Sequence, residues 1–406
     1  MKSIKYGSMQ FQKLCARGPA RSVRVIDSVT KILNDVRLHQ DDALVKYTRK
    51  FDKANLSSRQ LRVTEREINA AYQDMDPNIV NALKTIIANI ERFYKRGLKR
   101  QWQIKDEDGS VLGEKCVPLQ SVGVYVPSGS APLVSSVYMT VPLAKIAKVP
   151  RIVLMTPPNA EGYVDPYILV VANLLKVDEI YKVGGAQAIA ALAFGTKSIN
   201  KVDKIVGPGN EYVTEAKRQV FGFCDIDMLA GPSEVLVIAN NASDARFIKA
   251  DLLAQAEHHR GLAILVTPSK ILADEMKRDM AQGYVIRAAN LNQAVHIANL
   301  IAPEHLHIIV KNPKTLLTGI KTAGAVFLGP YSPVAIGDYI AGPSHVLPTG
   351  GTARFFSGLG IHDFTRRMHF INYTKKSLEK IRAPLEKVCL LEGLKKHLES
   401  VLVRLG

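Results

Sequence analysis

Several things are scarce in this chain of 406 residues, and each scarcity excludes something. Cysteine occurs only at Cys15, Cys116, Cys224 and Cys389, far apart and never as CxxC. That argues against a zinc knuckle and a disulfide framework, so any metal must be held by nitrogen and oxygen ligands. No apolar run is long enough to span a bilayer. The opening Met1-Lys2-Ser3-Ile4-Lys5-Tyr6 lacks the apolar core of a signal peptide. A cytoplasmic protein free of the membrane is the expectation. Acidic residues are outnumbered, leaving a net charge of +17. Such a balance suits nucleic acid, a membrane surface or an anionic substrate. The densest basic run, Arg92 to Trp102, interleaves aromatics that could stack on bases. No nucleic-acid module accompanies it, and a solvated amphipathic helix is the favoured reading.

What is present is ordinary for a globular enzyme: 47% apolar and 22% charged residues, in a chain long enough for two or three domains. Residues 1–20 read as a loosely structured arm. Residues 21–120 read as a helical region packing with the second α/β unit, with a helix from Ser22 to about Arg49, broken near Asp41-Asp42, and another from Asn78 to Arg100. From Ser121 short apolar strands alternate with helices. A first α/β unit occupies 121–238, with strands at 121–126, 151–155, 179–183, 204–206 and 234–238 and a helix at 137–146. A second occupies 239–358, with strands at 263–266, 307–310 and 324–328. Strands of this composition, separated by helices, indicate parallel sheets covered on both faces. The fold class is therefore α/β, as two incomplete Rossmann-like αβα units. Residues 329–358 form a Gly- and Pro-rich stretch, and structureless stretches of that length are usually functional. Residues 359–406 read as a C-terminal helical tail.

Chemistry concentrates in a few places. A helix starting near Ser243 and running to Arg260-Gly261 puts Phe247, Ile248, Asp251, Leu252, Gln255 and His258 on one broad face. Gln255 and His258 thus continue an apolar stripe with polar groups, which need partners when buried. The plainer reading is a histidine satisfied by a backbone carbonyl, and the helix alone favours it. Turns after Val126, Val183 and Val206 each follow a strand and open a helix, where glycines allow a dinucleotide to approach the backbone. None is a GxGxxG. Pro303 holds Glu304-His305 out of the preceding helix, placing a carboxylate beside an imidazole for sequential proton transfers; a loop charge pair is the alternative. Gln255, His258, Asp338 and His397 would together make a mixed nitrogen and oxygen site for zinc or manganese, although their spacing does not bring them together.

The sequence resembles the histidinol dehydrogenase family from about residue 22 to the C-terminus. The likeness rests on Tyr125-Val126-Pro127, residues 183–196 beginning Val183-Gly184-Gly185-Ala186-Gln187, Gly207-Pro208-Gly209-Asn210 and Ala230-Gly231-Pro232-Ser233-Glu234-Val235. It continues through Gln255-Ala256-Glu257-His258, Pro303-Glu304-His305-Leu306, Gly337-Asp338-Tyr339 and His345-Val346-Leu347-Pro348-Thr349. The resemblance implies oxidation of L-histidinol to L-histidine through the aldehyde, with two NAD⁺ used in succession. By motif match Gln255, His258, Asp338 and His397 stand at the zinc ligands. Ser233 and Glu392, with His305 and the four ligands, stand at substrate positions, and Tyr125, Gln187 and Asn210 at NAD positions. His305 is expected to take the alcohol proton and Glu304 to activate the water that adds to the aldehyde. The family's tail crosses to a partner, so a homodimer with a shared site is implied. Ser128, His259 and Ser344 depart from the usual pattern and leave another amino alcohol open as substrate. A metal-dependent hydrolase on the same fold and a nucleic-acid-binding protein are the other readings.

Overall fold

The computed structural model describes residues 1–18, 22–73, 75–97, 101–128, 132–258 and 260–406. Its strands in chain order are β1 (Lys2–Ile4), β2 (Trp102–Lys105), β3 (Val111–Pro118), β4 (Ser121–Tyr125), β5 (Arg151–Thr156), β6 (Glu179–Lys182), β7 (Lys204–Val206), β8 (Asp225–Ile226), β9 (Glu234–Ala239), β10 (Leu262–Thr267), β11 (Tyr284–Arg287), β12 (His305–Ile309), β13 (Ala325–Leu328) and β14 (Thr365–Asn372). They form a five-stranded sheet ordered β6-β5-β4-β7-β8, a six-stranded sheet ordered β1-β11-β10-β9-β12-β13 and a three-stranded sheet ordered β14-β3-β2. Every pairing in the first two is parallel, and the third is antiparallel. The mixed α/β class is as expected.

By contacts the chain makes two compact units. One comprises residues 1–97 and 119–364, the other residues 98–118 and 365–406. Both parallel sheets belong to the first unit. Their central strands are buried at all but an occasional first residue, and β9 is buried from Glu234 to Ala239, so both faces must be covered. On one face of the five-stranded sheet, Tyr125, Val153 and Met155 pack against the helices Val23–Phe51, Gly185–Phe194 and Glu211–Val220. The helix Val23–Phe51 kinks at Gln40, where φ is +50°, and Asp41 accepts from the backbone N–H and hydroxyl of Ser198. The expected break at Asp41-Asp42 is this kink.

On one face of the six-stranded sheet, Val235, Val237, Leu265 and Ile309 pack against helices Ala245–Ala256 and Lys270–Asp279 and against Val334. Leu306 and Ile308 face the opposite layer, with Phe11 and the helix Leu291–Ile301. The second unit holds the antiparallel sheet and the helices Lys375–Leu391 and Lys395–Leu402.

Several expectations change. The strand expected to close the first α/β unit at 234–238 is β9, inside the six-stranded sheet, because it pairs with β10 and β12. The helix Val23–Phe51 packs on the five-stranded sheet rather than with the second α/β unit, and the expected helical region and helical tail contain the strands β2, β3 and β14. Within residues 1–18 the expected loose arm is structured: β1 extends the edge of the six-stranded sheet beside β11, and Ser8 caps a helix, Met9–Cys15. The single helix expected over 137–146 is two, Ser135–Tyr138 and Val141–Ile146, because Pro142 needs a first-turn position. The helix expected to reach Arg100 is Pro77–Tyr94 with a short 3₁₀ turn to Gly97, and residues 98–100 lie outside the described residues, as do Gly129 and His259. Among the described residues no helix is long and apolar enough to cross a membrane.

Candidate functional site

The helix carrying Gln255 spans Ala245–Ala256 and is capped by Asp244, which accepts from the Arg246 N–H. Ser243, expected at the cap, instead donates its hydroxyl to the Ile309 carbonyl. The helix ends two residues before His258. Gln255 is buried with its amide nitrogen unpartnered, whereas His258 is exposed past the helix end rather than part of the inner stripe.

Glu304 and His305 are placed by their backbone. The helix Leu291–Ile301 stops at Ala302, left-handed at φ +51°, and Pro303 cannot continue it. Gly324 then donates to the Pro303 carbonyl at 3.0 Å and Ala325 to the Glu304 carbonyl at 2.8 Å, which zips the pair into the start of β12. Both side chains are buried. Glu234, first residue of the neighbouring β9, holds them: its N–H donates to Glu304 Oε2 at 2.7 Å, and its carbonyl lies 3.0 Å from His305 Nδ1. The Glu234 carboxylate is itself gripped by Arg17 through two bonds and accepts from the Gly350 N–H. With Nδ1 committed to a carbonyl, which can only accept, His305 presents Nε2 to the site. Nε2 stands 3.4 Å from Asp338 Oδ1.

Charge follows from burial. Loss of water pushes the Glu304 carboxyl upward, against the opposing pull of His305. For His305 burial works the other way, but the charge of Glu304, 3.5 Å from Nδ1, and then Asp338 override it and lift the imidazole to about 10. The pair therefore retains a proton on the imidazole. Burial lowers His345, whose Nδ1 lies 3.2 Å from the Asp338 carbonyl and which feels the charges of Asp338, His305 and His258. His258, His305, Asp338 and His345 thus share one electrostatic neighbourhood. Tyr138 joins it, its hydroxyl pushed up to about 12 chiefly by burial and further by Tyr339 and Asp338. His345 was visible in the sequence only as part of a motif, and Tyr138 carried no signal.

Tyr125 ends β4, and Gln187 and Asn210 follow β6 and β7, at the carboxyl edge of the five-stranded sheet. The Tyr125 hydroxyl accepts from the Gly185 N–H at 3.0 Å. Gln187 is buried, and neither end of its carboxamide has a partner, an arrangement that costs free energy while nothing is bound. Asn210 is exposed and caps the helix Glu211–Val220, its oxygen accepting from Tyr212 and Val213. Gly207, at φ +115°, has no room for a side chain, since a Cβ would fall 2.1 Å from the Tyr125 carbonyl oxygen.

Ser233 is half-buried immediately before Glu234, its carbonyl accepting from Leu262. Glu392 and His397 lie in the second unit, both exposed. Among the described residues no three His, Cys, Asp or Glu side chains form a metal-ready cluster. A cation here would need a further donor of another kind, and the carboxamide oxygen of buried Gln255, whose amide nitrogen has no partner, is one.

Comparison with known proteins agrees along the whole length. A family model described as histidinol dehydrogenase matches residues 16–405. The chain is 45% identical to the histidinol dehydrogenase of Clostridium acetobutylicum, over 98% of this chain and 96% of that one. It is 46% identical to that of Halalkalibacterium halodurans, over 93% of each. The crystal structure of histidinol dehydrogenase from Elizabethkingia anophelis superposes with a TM-score of 0.93 at 36% identity, covering 100% of this chain and 98% of that one.

Proposed function

Because the chain belongs to the histidinol dehydrogenase family, we propose that it oxidises L-histidinol to L-histidine through the aldehyde, with NAD⁺ as hydride acceptor in both steps and zinc at the substrate. The observation that carries this reading is the buried Glu304–His305 pair, its imidazole oriented through Nδ1 so that only Nε2 faces Asp338. An acid and a base with separated proton affinities in one water-poor pocket suit two successive proton transfers.

The donor set fits a divalent cation. Gln255, His258 and Asp338 would hold it in this unit, and His397, with Glu392 beside the substrate, would come from the tail of a second copy in a homodimer. Bound zinc would orient the imidazole and amine of the substrate, a templating role. Asp338 is one of the two carboxylates that keep His305 charged. With Nδ1 held on the Glu234 carbonyl, His305 would accept the alcohol proton at Nε2 as hydride leaves, in the state where that nitrogen carries no proton. Glu304 then takes a proton from the water adding to the aldehyde. For the cofactor, the unsatisfied carboxamide of Gln187 supports a dinucleotide lying across the Tyr125 edge, with the Asn210 amide nitrogen as a further donor.

The test is stoichiometric. Two NADH should form per histidinol consumed, and activity lost to a chelator should return with zinc. One NADH per histidinol, with aldehyde accumulating, would sink the two-step reading. Glu304→Gln should slow oxidation of supplied aldehyde at least ten times more than oxidation of the alcohol, in line with typical general-base contributions of about 10²–10⁴. Equal losses would remove the proposed division of labour.

A further inference from the structure

We propose that His307, paired with Asp251, is a positioning residue that sets the mutual placement of the segments bearing Gln255, His305 and Asp338; the inference rests on the reading of those three as site residues. His307 lies two residues beyond His305, so both side chains project from the same face of β12. That face is otherwise apolar, built from Val235, Val237, Leu265 and Ile309. His307 is 1% exposed. Its Nδ1 is 2.5 Å from Asp251 Oδ2 and its Nε2 is 2.8 Å from the Gly329 carbonyl oxygen. A carbonyl can only accept, so Nε2 donates to Gly329, and both ring nitrogens are engaged. Turning the ring would break both.

Each contact leads to a different part of the site. Asp251 precedes Gln255 by one helical turn and shares its face, so the Asp251 bond anchors the helix carrying Gln255. Gly329 immediately follows β13 and opens the segment leading into the helix Val334–Tyr339, which carries Asp338. Phe327 sits opposite His307 across the β12–β13 pairing, its ring centroid 6.3 Å from that of His307 and 5.9 Å from that of His305. The same ring fills the space beside Gly337, where a Cβ would fall 2.5 Å from it. Asp338 is therefore seated on Phe327 through its neighbour, and Phe327 lies against both histidines. An imidazole and a carboxylate buried under an apolar sheet are a poor route to stability, because apolar side chains of similar volume often serve as well or better. What apolar residues cannot supply is two directional bonds that fix three chain segments at once. Groups behind the ligands of a metal site typically matter about 10- to 100-fold for affinity or activity.

The decisive variant carries Asp251→Ala together with His307→Phe, which removes the pair without stranding a charge and keeps the buried volume close to constant. Its denaturant midpoint, zinc affinity against a chromogenic chelator, and KM values for histidinol and NAD⁺ are compared with wild type. Zinc affinity should fall and the KM for histidinol rise by about 10- to 100-fold, while the KM for NAD⁺ stays within about twofold, since Tyr125, Gln187 and Asn210 belong to the other sheet. Unchanged zinc affinity and histidinol KM, whatever happens to stability, would overturn the inference. Should the double variant fail to fold, His307→Gln keeps one donor and should show smaller losses of the same sign; wild-type values there would overturn it equally. Failure of the proposed function reads separately, as wild-type enzyme that makes no NADH from histidinol.

Discussion

Asp52 offers a test in which the sign of a pH effect follows from the fold. It caps the C-terminal end of the helix Val23–Phe51, and its Oδ2 is buried without a partner. Burial, unopposed by any cation, raises its carboxyl from 3.8 to about 6. A folded-state value above the unfolded one means the native protein binds this proton more tightly. The group's stabilising contribution is therefore complete below about pH 4 and is lost as pH rises through about 6. A displacement of about two units corresponds to roughly 3 kcal/mol at 1.36 kcal/mol per unit. Because the residue is only half-buried, solvent screening reduces the effect to about 1–2 kcal/mol.

Asp52→Asn removes the titration while keeping the shape. The variant should gain about 1–2 kcal/mol over wild type at pH 7.5, but much less at pH 4.5, where the wild-type carboxyl is already protonated. Urea denaturation of both proteins across pH 4.5 to 8 reads the difference directly. Two stability profiles that run parallel over this range would refute the reasoning, and so would a gap that widens toward acid.

Three further outcomes follow from buried contacts. Arg17→Ala strands the Glu234 carboxylate, which is 5% exposed, and should cost about 3 kcal/mol; Arg17→Met with Glu234→Gln should recover most of that, as read by denaturant midpoints. Lys217→Met leaves Asp227 as an unpaired charge beneath the Gly207 turn, where Lys217 also donates to the Gly207 carbonyl at 2.9 Å. About 3–5 kcal/mol should be lost, with a higher KM for NAD⁺ and an unchanged KM for histidinol. Gly207→Ala meets both a positive φ and a 2.1 Å clash with the Tyr125 carbonyl, so a loss on the order of 3 kcal/mol is expected by calorimetry.

The parallel sheets were legible because their inner strands are unbroken apolar runs flanked by helices. The antiparallel sheet was not. β14 is exposed over Arg366–Asn372 and reads Arg-Arg-Met-His-Phe-Ile-Asn, a polar mixture that only its partner β3 makes into a strand. β1 and β8 are shorter than any periodicity can register, and their pairing is decided by neighbours distant in sequence. Glu304 and His305 could be singled out because a proline isolates them. The support behind them could not: Arg17 reaches Glu234 across 217 positions, and Asp251 reaches His307 across 56. His258 shows the limit of helical periodicity, since the helix that should have turned it inward stops at Ala256.

The site also lies where strand-end rules for a single sheet would not put all of it. Tyr125 ends its strand and Gln187 and Asn210 follow theirs, at the carboxyl edge, where ligands in parallel sheets commonly lie. Glu234 and His305 instead begin theirs, at the amino edge of the other sheet. Connectivity reconciles the two. A chain leaving one parallel sheet at a carboxyl edge must enter the next at an amino edge, and residues 227–233 make that passage between β8 and β9. Seven residues reach at most about 25 Å, so the two edges cannot be far apart. The passage is tied at both banks: the Thr214 hydroxyl, on the helix capped by Asn210, donates to the Ala230 carbonyl at 3.1 Å. The Gly231 N–H donates to Thr349, next to the Gly350 that binds Glu234. On the proposed function, a hydride acceptor at one edge and a proton acceptor at the other would be brought close by this short link between the sheets. Lengthening that link by a few glycines after Met228 should raise the KM for NAD⁺ and lower kcat without unfolding either sheet, and unchanged turnover would show that the two edges are joined some other way.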